Sequence, residues 1–187
     1  MPDLPAPKPV LAGKPVLQGD TIRLAALPEG HLLHVMGATT SEEIANHLLA
    51  VNLKESTVRP AGYRQWFVAG NHQLSESQRQ ALADALSGGA FISDQSHGRI
   101  RIHVSGSQAA ALLNKGTAVD LHPLNFPEGN SAMTLFGHIS IQLTRTVGQD
   151  FELIVLRSFA QSLYEELEAL ALSLGGSKVG NPVWNGA

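Results

Sequence analysis

Eight histidines are the side chains of this sequence best suited to metal or proton chemistry. His31 and His34 stand three apart in an apolar run. On a strand that spacing sends them to opposite faces, so they cannot converge on one ion. His97 and His103 flank a glycine with no carboxylate at ligand spacing, and no His-Glu-x-x-His helix occurs. They read as scattered surface or core residues. A Gly-x-Ser-x-Gly elbow is absent, and Val104-Ser105-Gly106-Ser107 reads as a strand-to-helix junction with Ser107 as the cap. Such a junction attracts anions, but this one lacks the spaced glycines and lysine of a P-loop and the three glycines of a dinucleotide fingerprint. Asp94, Asp120, Glu128 and Asp150 fall in or near turns, where carboxylates serve local hydrogen bonds. The residues show no catalytic constellation.

The unusual segment is the loop from Thr117 to Asn130. Asp120-Leu121-His122-Pro123 leads there to Phe126-Pro127-Glu128-Gly129, and the two prolines stiffen it. Leu121, Leu124 and Phe126 either pack back on the core or dock a partner. Arg157, just before Ser158, offers a planar fork suited to a carboxylate, with an internal ion pair as the plainer reading.

Alternating strands and helices must position these groups. Leu32 to Met36 reads as a strand, followed by a capping box of Thr40 with Glu43 and a helix burying Ile44, Ala45, Leu48 and Leu49. Tyr63 to Val68 reads as a buried strand. Ser75 with Gln78 opens a second helix (Ala81, Leu82, Ala85, Leu86), stopped by Gly88-Gly89 ahead of a strand at Ala90 to Ser93. Arg99 to Ser105 alternates, with Ile100, Ile102 and Val104 on one face and Arg99, Arg101 and His103 on the other. A helix (Ala109, Leu112, Leu113) ends at Lys115-Gly116, and strand signals follow at Ile139, Ile141 and Leu143 and at Phe151 to Leu156. Ser158 with Gln161 is expected to cap a last helix with the stripe Leu163, Leu167, Leu170 and Leu174 and with Glu165, Glu166 and Glu168 towards water. The scheme predicts an α+β fold of two ferredoxin-like layers, residues 20–96 and 97–174, with helices on one face of each antiparallel sheet.

The flanks differ. Residues 1–19 carry five of the ten prolines and are expected to form an extended arm without helix or central strand. Residues 175–187 read as a flexible Gly/Asn tail, with Trp184 a candidate anchor on a partner.

Charged residues make only 16 % of the 187-residue chain, against about 25 % in ordinary soluble domains. Charge is depleted at the cores of protein interfaces, so the deficit points to surface covered by something else. A net charge of −3 without a basic cluster argues against nucleic acid. The lack of an apolar run of about 18 residues argues against a membrane span. Zero cysteines exclude disulfides and thiolate chemistry and agree with a reducing cytoplasm.

On Val104-Ser105-Gly106, Leu112-Leu113 through Lys115-Gly116, Asp120-Leu121-His122-Pro123, Phe126-Pro127 with Gly129, Phe151-Glu152-Leu153 and Arg157-Ser158-Phe159-Ala160 with Leu163-Tyr164, the sequence resembles the γ subunit of heterotetrameric sarcosine oxidase. The resemblance runs from about Leu32 to Leu174. Where the family tends to carry Pro-Asp-Glu-Trp, this chain has Tyr63-Arg64-Gln65-Trp66. The resemblance implies a fold similar to the folate-binding aminomethyltransferases. It also implies membership of a complex that oxidatively demethylates sarcosine to glycine, giving hydrogen peroxide and passing the one-carbon unit to tetrahydrofolate. The implied partners are an α subunit with NAD and the folate site, a β subunit with FAD and FMN, and a zinc-binding δ subunit. The γ chain itself would hold no cofactor and no catalytic residue and serve structure and assembly, with self-association of the isolated chain an open alternative. Leu121, Leu124, Phe126 and Trp184 are its candidate contacts. The competing expectation is a free-standing folate-binding protein using Asp120, His122 and Arg157.

Overall fold

The computed structural model describes residues 9–179. The elements run β1 Val16–Gln18, β2 Arg23–Ala26, β3 His31–Gly37, α1 Ser41–Ala50, β4 Thr57–Gly62, β5 Gln65–Gly70, α2 Glu76–Leu86, β6 Ala90–Asp94, β7 Arg99–Ser105, α3 Ala109–Leu113, β8 Ser131–Phe136, β9 Ile139–Arg145, β10 Phe151–Leu156, α4 Ala160–Ser173 and β11 Ser177–Val179. They build an α+β fold with two antiparallel sheets. The smaller has the order β4-β5-β3-β6, and the larger β11-β1-β2-β7-β10-β9-β8.

The small sheet follows the βαββαβ order with both helices on one face. Thr40 Oγ1 accepts from Glu43 N while the Glu43 carboxylate accepts from Thr40 N, and Ser75 with Gln78 repeats the reciprocal pattern. Each box satisfies amide donors that a helix start leaves open and so sets where α1 and α2 begin. Their inward stripes, Ile44 and Leu48 with Leu82 and Leu86, pack on Leu33, Val35, Trp66 and Val68. The large sheet buries its own outer face under α3 and α4. Ile100, Ile102, Val104, Leu153 and Val155 meet Leu112, Leu163 and Leu167 there, each fully buried aliphatic contributing about 1.5–3 kcal/mol.

The remaining face of each sheet is turned towards the other. Leu32, Phe67 and Ala69 of the small sheet enclose Ile154 of β10, giving a four-layer helix–sheet–sheet–helix stack. Strand alternation explains the arrangement: on β7 the even-numbered residues go to the helices, and Arg101 and His103 go to the inter-sheet layer.

Several expectations are corrected. β4 and β8 lie in stretches to which no element was assigned from the sequence, and Tyr63 belongs to the β4–β5 turn instead of a buried strand. β4 holds Arg59, Pro60 and Gly62, and β8 holds Ser131 and Thr134, so neither shows a clean apolar alternation. The arm does not stay out of the sheets, because β1 lies between β11 and β2. Tyr164 of α4 donates to the Pro15 carbonyl at 2.7 Å and fixes the entry to that strand. Nor does the chain divide at 96/97. β2 pairs with β7, so the small sheet is an insertion between neighbouring strands of the large one. Residues 177–179 of the expected flexible tail form β11 on β1, and Trp184 lies outside the described residues. Neither Ser107 nor Ser158 caps a helix: the N-cap of α3 is Gln108, whose side chain makes no capping bond, and a 3-10 turn, Arg157–Phe159, leads into α4. Glu168 is buried and paired with Lys178 at 2.5 Å.

Candidate functional site

Two groups of buried charge organise the large sheet. The first lies between the sheets. Glu152 of β10 receives Arg59 of β4, with Nη2 to Oε2 at 2.8 Å and Nη1 2.5 Å from Oε1. It also receives Arg101 of β7, with Nε to Oε1 at 2.6 Å and Nη2 to Oε2 at 3.1 Å. Arg101 Nη1 also reaches the Gly70 carbonyl and Asn71 Oδ1, both at 3.0 Å, at the end of β5. Burial alone would push the Glu152 carboxyl up, but the two guanidiniums and their hydrogen bonds overcome it and hold the group at about 2. Gln142 adds a bond to the Pro60 carbonyl at 2.6 Å, and Arg99 stacks over the Phe67 ring with its guanidinium carbon 4.8 Å from the centroid. Every member of the Arg59–Glu152–Arg101 group is buried. It acts as a clamp between the sheets and is closed to a substrate.

The second group fixes the loop of residues 117–130. Arg145, at the end of β9, is 2 % exposed. Its Nε donates to the Phe126 carbonyl at 2.6 Å, Nη1 to the Gly148 carbonyl at 2.7 Å and Nη2 to the Leu121 carbonyl, while the guanidinium lies over the Phe151 ring. One planar cation thus ties down two points of the loop through carbonyl oxygens. The side chains of the same two residues, Leu121 and Phe126, enter the main core. They are therefore not available as partner contacts, which corrects that expectation. Of the three loop residues proposed for docking, Leu124 is the exposed one, at 85 %.

The polar residues singled out in the sequence serve local structure. Asp120 Oδ1 accepts from His122 N at 2.9 Å and Oδ2 from Asn125 Nδ2 at 2.5 Å, which holds its carboxyl below the usual range. His122 Nδ1 accepts from Leu124 N at 3.3 Å. Arg157 pairs with Glu29 at 2.9 Å, and the other Glu29 oxygen accepts from Val10 N. Asp120 and His122 belong to the loop fastened at the Arg145–Phe151 end of β10, whereas Arg157 follows the opposite end. A strand of that length separates them by roughly 17 Å. The three do not converge on one slot, as a pterin with its glutamate tail would require.

Elsewhere, burial lowers the pKa of His31, whose Nδ1 contacts the His72 carbonyl and whose Nε2 contacts Ser56 Oγ. His103 does acquire a carboxylate in space, Asp150 at 3.5 Å. Among the described residues, no group of three or more His, Asp or Glu side chains is placed to hold a metal ion. No helix among them is long and apolar enough to cross a membrane.

Arg59 and Arg145 were not singled out in the sequence, while Arg101 was placed only on the polar face of its strand and Glu152 only within the stretch Phe151-Glu152-Leu153. Glu152 did carry a signal, as the one charged residue in a strand of otherwise apolar β-formers, whereas Arg101 shares the polar face of β7 with Arg99 and His103.

The profile of the sarcosine oxidase, gamma subunit family matches residues 33–171. Among curated proteins none matches significantly in sequence. Among solved structures, the chain is similar to a heterotetrameric sarcosine oxidase from Corynebacterium sp. U-96 in complex with pyrrole 2-carboxylate. The TM-score is 0.73 at 19 % identity, over 88 % of this chain and 91 % of that one. It is also similar to the glycine cleavage system aminomethyltransferase T from Bartonella henselae. There the TM-score is 0.56 at 17 % identity over 79 % of this chain, which spans 45 % of that enzyme. At these identities the likeness is one of fold.

Proposed function

The chain belongs to the sarcosine oxidase gamma subunit family, and from that premise we propose that it is a structural and assembly subunit of a cytoplasmic sarcosine oxidase-like flavoenzyme. The assembly would oxidatively demethylate sarcosine to glycine, reducing oxygen to hydrogen peroxide and passing the methyl carbon to tetrahydrofolate. In this reading companion α, β and δ subunits hold NAD, tetrahydrofolate, FAD, FMN and zinc, and this chain binds none of them.

The observation that carries the reading is the family match across both sheets. It is supported by the work of the polar side chains, since Glu152, Arg145, Asp120 and Arg157 are all engaged in bracing the chain itself. Exposed apolar side chains, with Leu124, Tyr63 and Phe91 foremost, supply contact surface in a charge-poor chain.

Co-expression with the flavin-dependent chains encoded beside it, followed by affinity capture on one of them, tests the reading. Recovery in stoichiometric amount with bound flavin supports it. Recovery of this chain alone, or turnover of a methylated amine by the lone chain, would overturn it. Tetrahydrofolate titrated into the isolated chain is expected to leave its tryptophan fluorescence unchanged.

A further inference from the structure

The layer between the sheets holds more positive charge than it neutralises. The strand residues of the small sheet that share a face with Leu32 and Phe67 include no aspartate or glutamate. Among the described residues, Glu152 is the one carboxylate that a strand sends into this layer, and Arg59 and Arg101 already share it. Arg99, two residues before Arg101 on β7, brings a third guanidinium to the same face. Among the described residues it pairs with no acid.

Its place is nevertheless fixed. The guanidinium carbon stands 4.8 Å from the centroid of the Phe67 ring, and that ring is itself packed among Leu32, Ala69 and Ile154. His34 lies against the same ring, with centroids 5.0 Å apart. An arginine held only by its stem would carry its head out to water. This one buries Nε without giving it an acceptor. Burial pulls its pKa down, with no counter-charge to oppose the change. A cation desolvated in this way costs free energy that an anion would return.

Nη1 and Nη2 are not sealed off as Nε is, and they donate to nothing among the described residues. Two parallel N–H groups at the end of a planar fork match the two oxygens of a carboxylate. Burial foremost, with the Arg99 charge adding to it, holds the pKa of His34 low against its bond to Gln65, so the imidazole is neutral at pH 7. The site therefore offers one full positive charge, which suits a monoanion better than a phosphate dianion. An amino acid would bring an ammonium to a face that has no acid to pair with it. Leu156, in register with Arg99 and 39 % exposed, supplies an apolar wall beside the fork. We propose that Arg99 binds a small monocarboxylate without an amino group, its two oxygens on Nη1 and Nη2 and its apolar body on Leu156.

The test titrates propionate into the full chain at constant ionic strength, with chloride as the balancing anion. It follows the Arg99 Nε–Hε resonance and the amide resonances of His34 and Leu156. Saturable shifts are expected, half complete at about 1–10 mM. Arg99→Gln is expected to abolish them. Arg99→Lys keeps the charge but not the fork and should weaken binding at least about tenfold; it decides the matter if Arg99→Gln fails to fold. Lys54→Gln, an exposed change of the same charge, should bind as wild type. Phosphate should give no saturable shift, and glycine should bind at least about tenfold more weakly than propionate. Absence of saturation by about 100 mM, an equal response to phosphate, or equal loss with Lys54→Gln overturns the site. Glycine bound as tightly as propionate overturns its selectivity. Asp3 lies outside the described residues. An affinity raised at least about tenfold by Asp3→Asn would give the fork to this chain's own carboxylate and overturn the free ligand.

Discussion

Replacing Glu152 by glutamine keeps the shape of the side chain and removes the anion that two buried guanidiniums share. Arg59 and Arg101 would then remain buried, facing an amide that can accept but not neutralise. Truncating one partner of such a group costs about 3–5 kcal/mol. Linkage gives a second figure. The carboxyl is held at about 2 against an ordinary 4.5, and at about 1.4 kcal/mol per unit the difference amounts to about 3 kcal/mol. The two figures agree at the low end, a large share of a typical stability of 5–15 kcal/mol. The sign follows from the depressed folded value. The contribution is fully present above the unfolded pKa of about 4.5 and is lost as pH falls through about 2. Urea unfolding, which adds no salt to screen the group, is the assay. Glu152→Gln should lose about 3 kcal/mol at pH 7 and at pH 5, and the gap to wild type should shrink to roughly half or less by pH 3. A loss under about 1 kcal/mol at pH 7, or a gap of constant size from pH 5 to pH 3, would refute the reasoning.

Three further outcomes can be measured on the same chain. Arg145→Lys keeps the charge but not the fork, so it should cost about 2–4 kcal/mol in urea. Limited proteolysis should then open the loop of residues 117–130 ahead of the sheets. Tyr164→Phe removes the bond to the Pro15 carbonyl and should lower stability by about 1 kcal/mol, with faster amide exchange confined to β1 and its neighbours. Thr40→Ala breaks one reciprocal cap and should cost about 1 kcal/mol, read as a lower thermal midpoint with unchanged binding to companion chains.

The parts of the fold legible in the sequence are those whose signal is local. Both reciprocal caps, the alternation of β7 and the stripe of α4 depend on neighbours a few residues away, and they stand where the pattern places them. β4, β8 and β1 escaped because their strand character comes from pairing partners far along the chain. A Pro-containing run such as β4 is tolerable at the sheet edge that it occupies. Glu168 was read as solvent-facing because a helix pattern cannot show that Lys178 of β11 returns to meet it. The loop of residues 117–130 was recognisable by its prolines and length, but not its anchor. Arg145 looks like any basic residue closing a strand until Leu121, Phe126 and Gly148 turn their carbonyls towards it.

The insertion of the small sheet between β2 and β7 sets a timetable for synthesis. Once residue 94 has emerged from the ribosome, every strand of that sheet has its mate. β2 must by then wait for β7, and β1 waits for β11 across almost the whole length of the polypeptide. One half can be finished while the other is still being made, so the unmatched rim of the waiting strands is the vulnerable surface of the newborn chain.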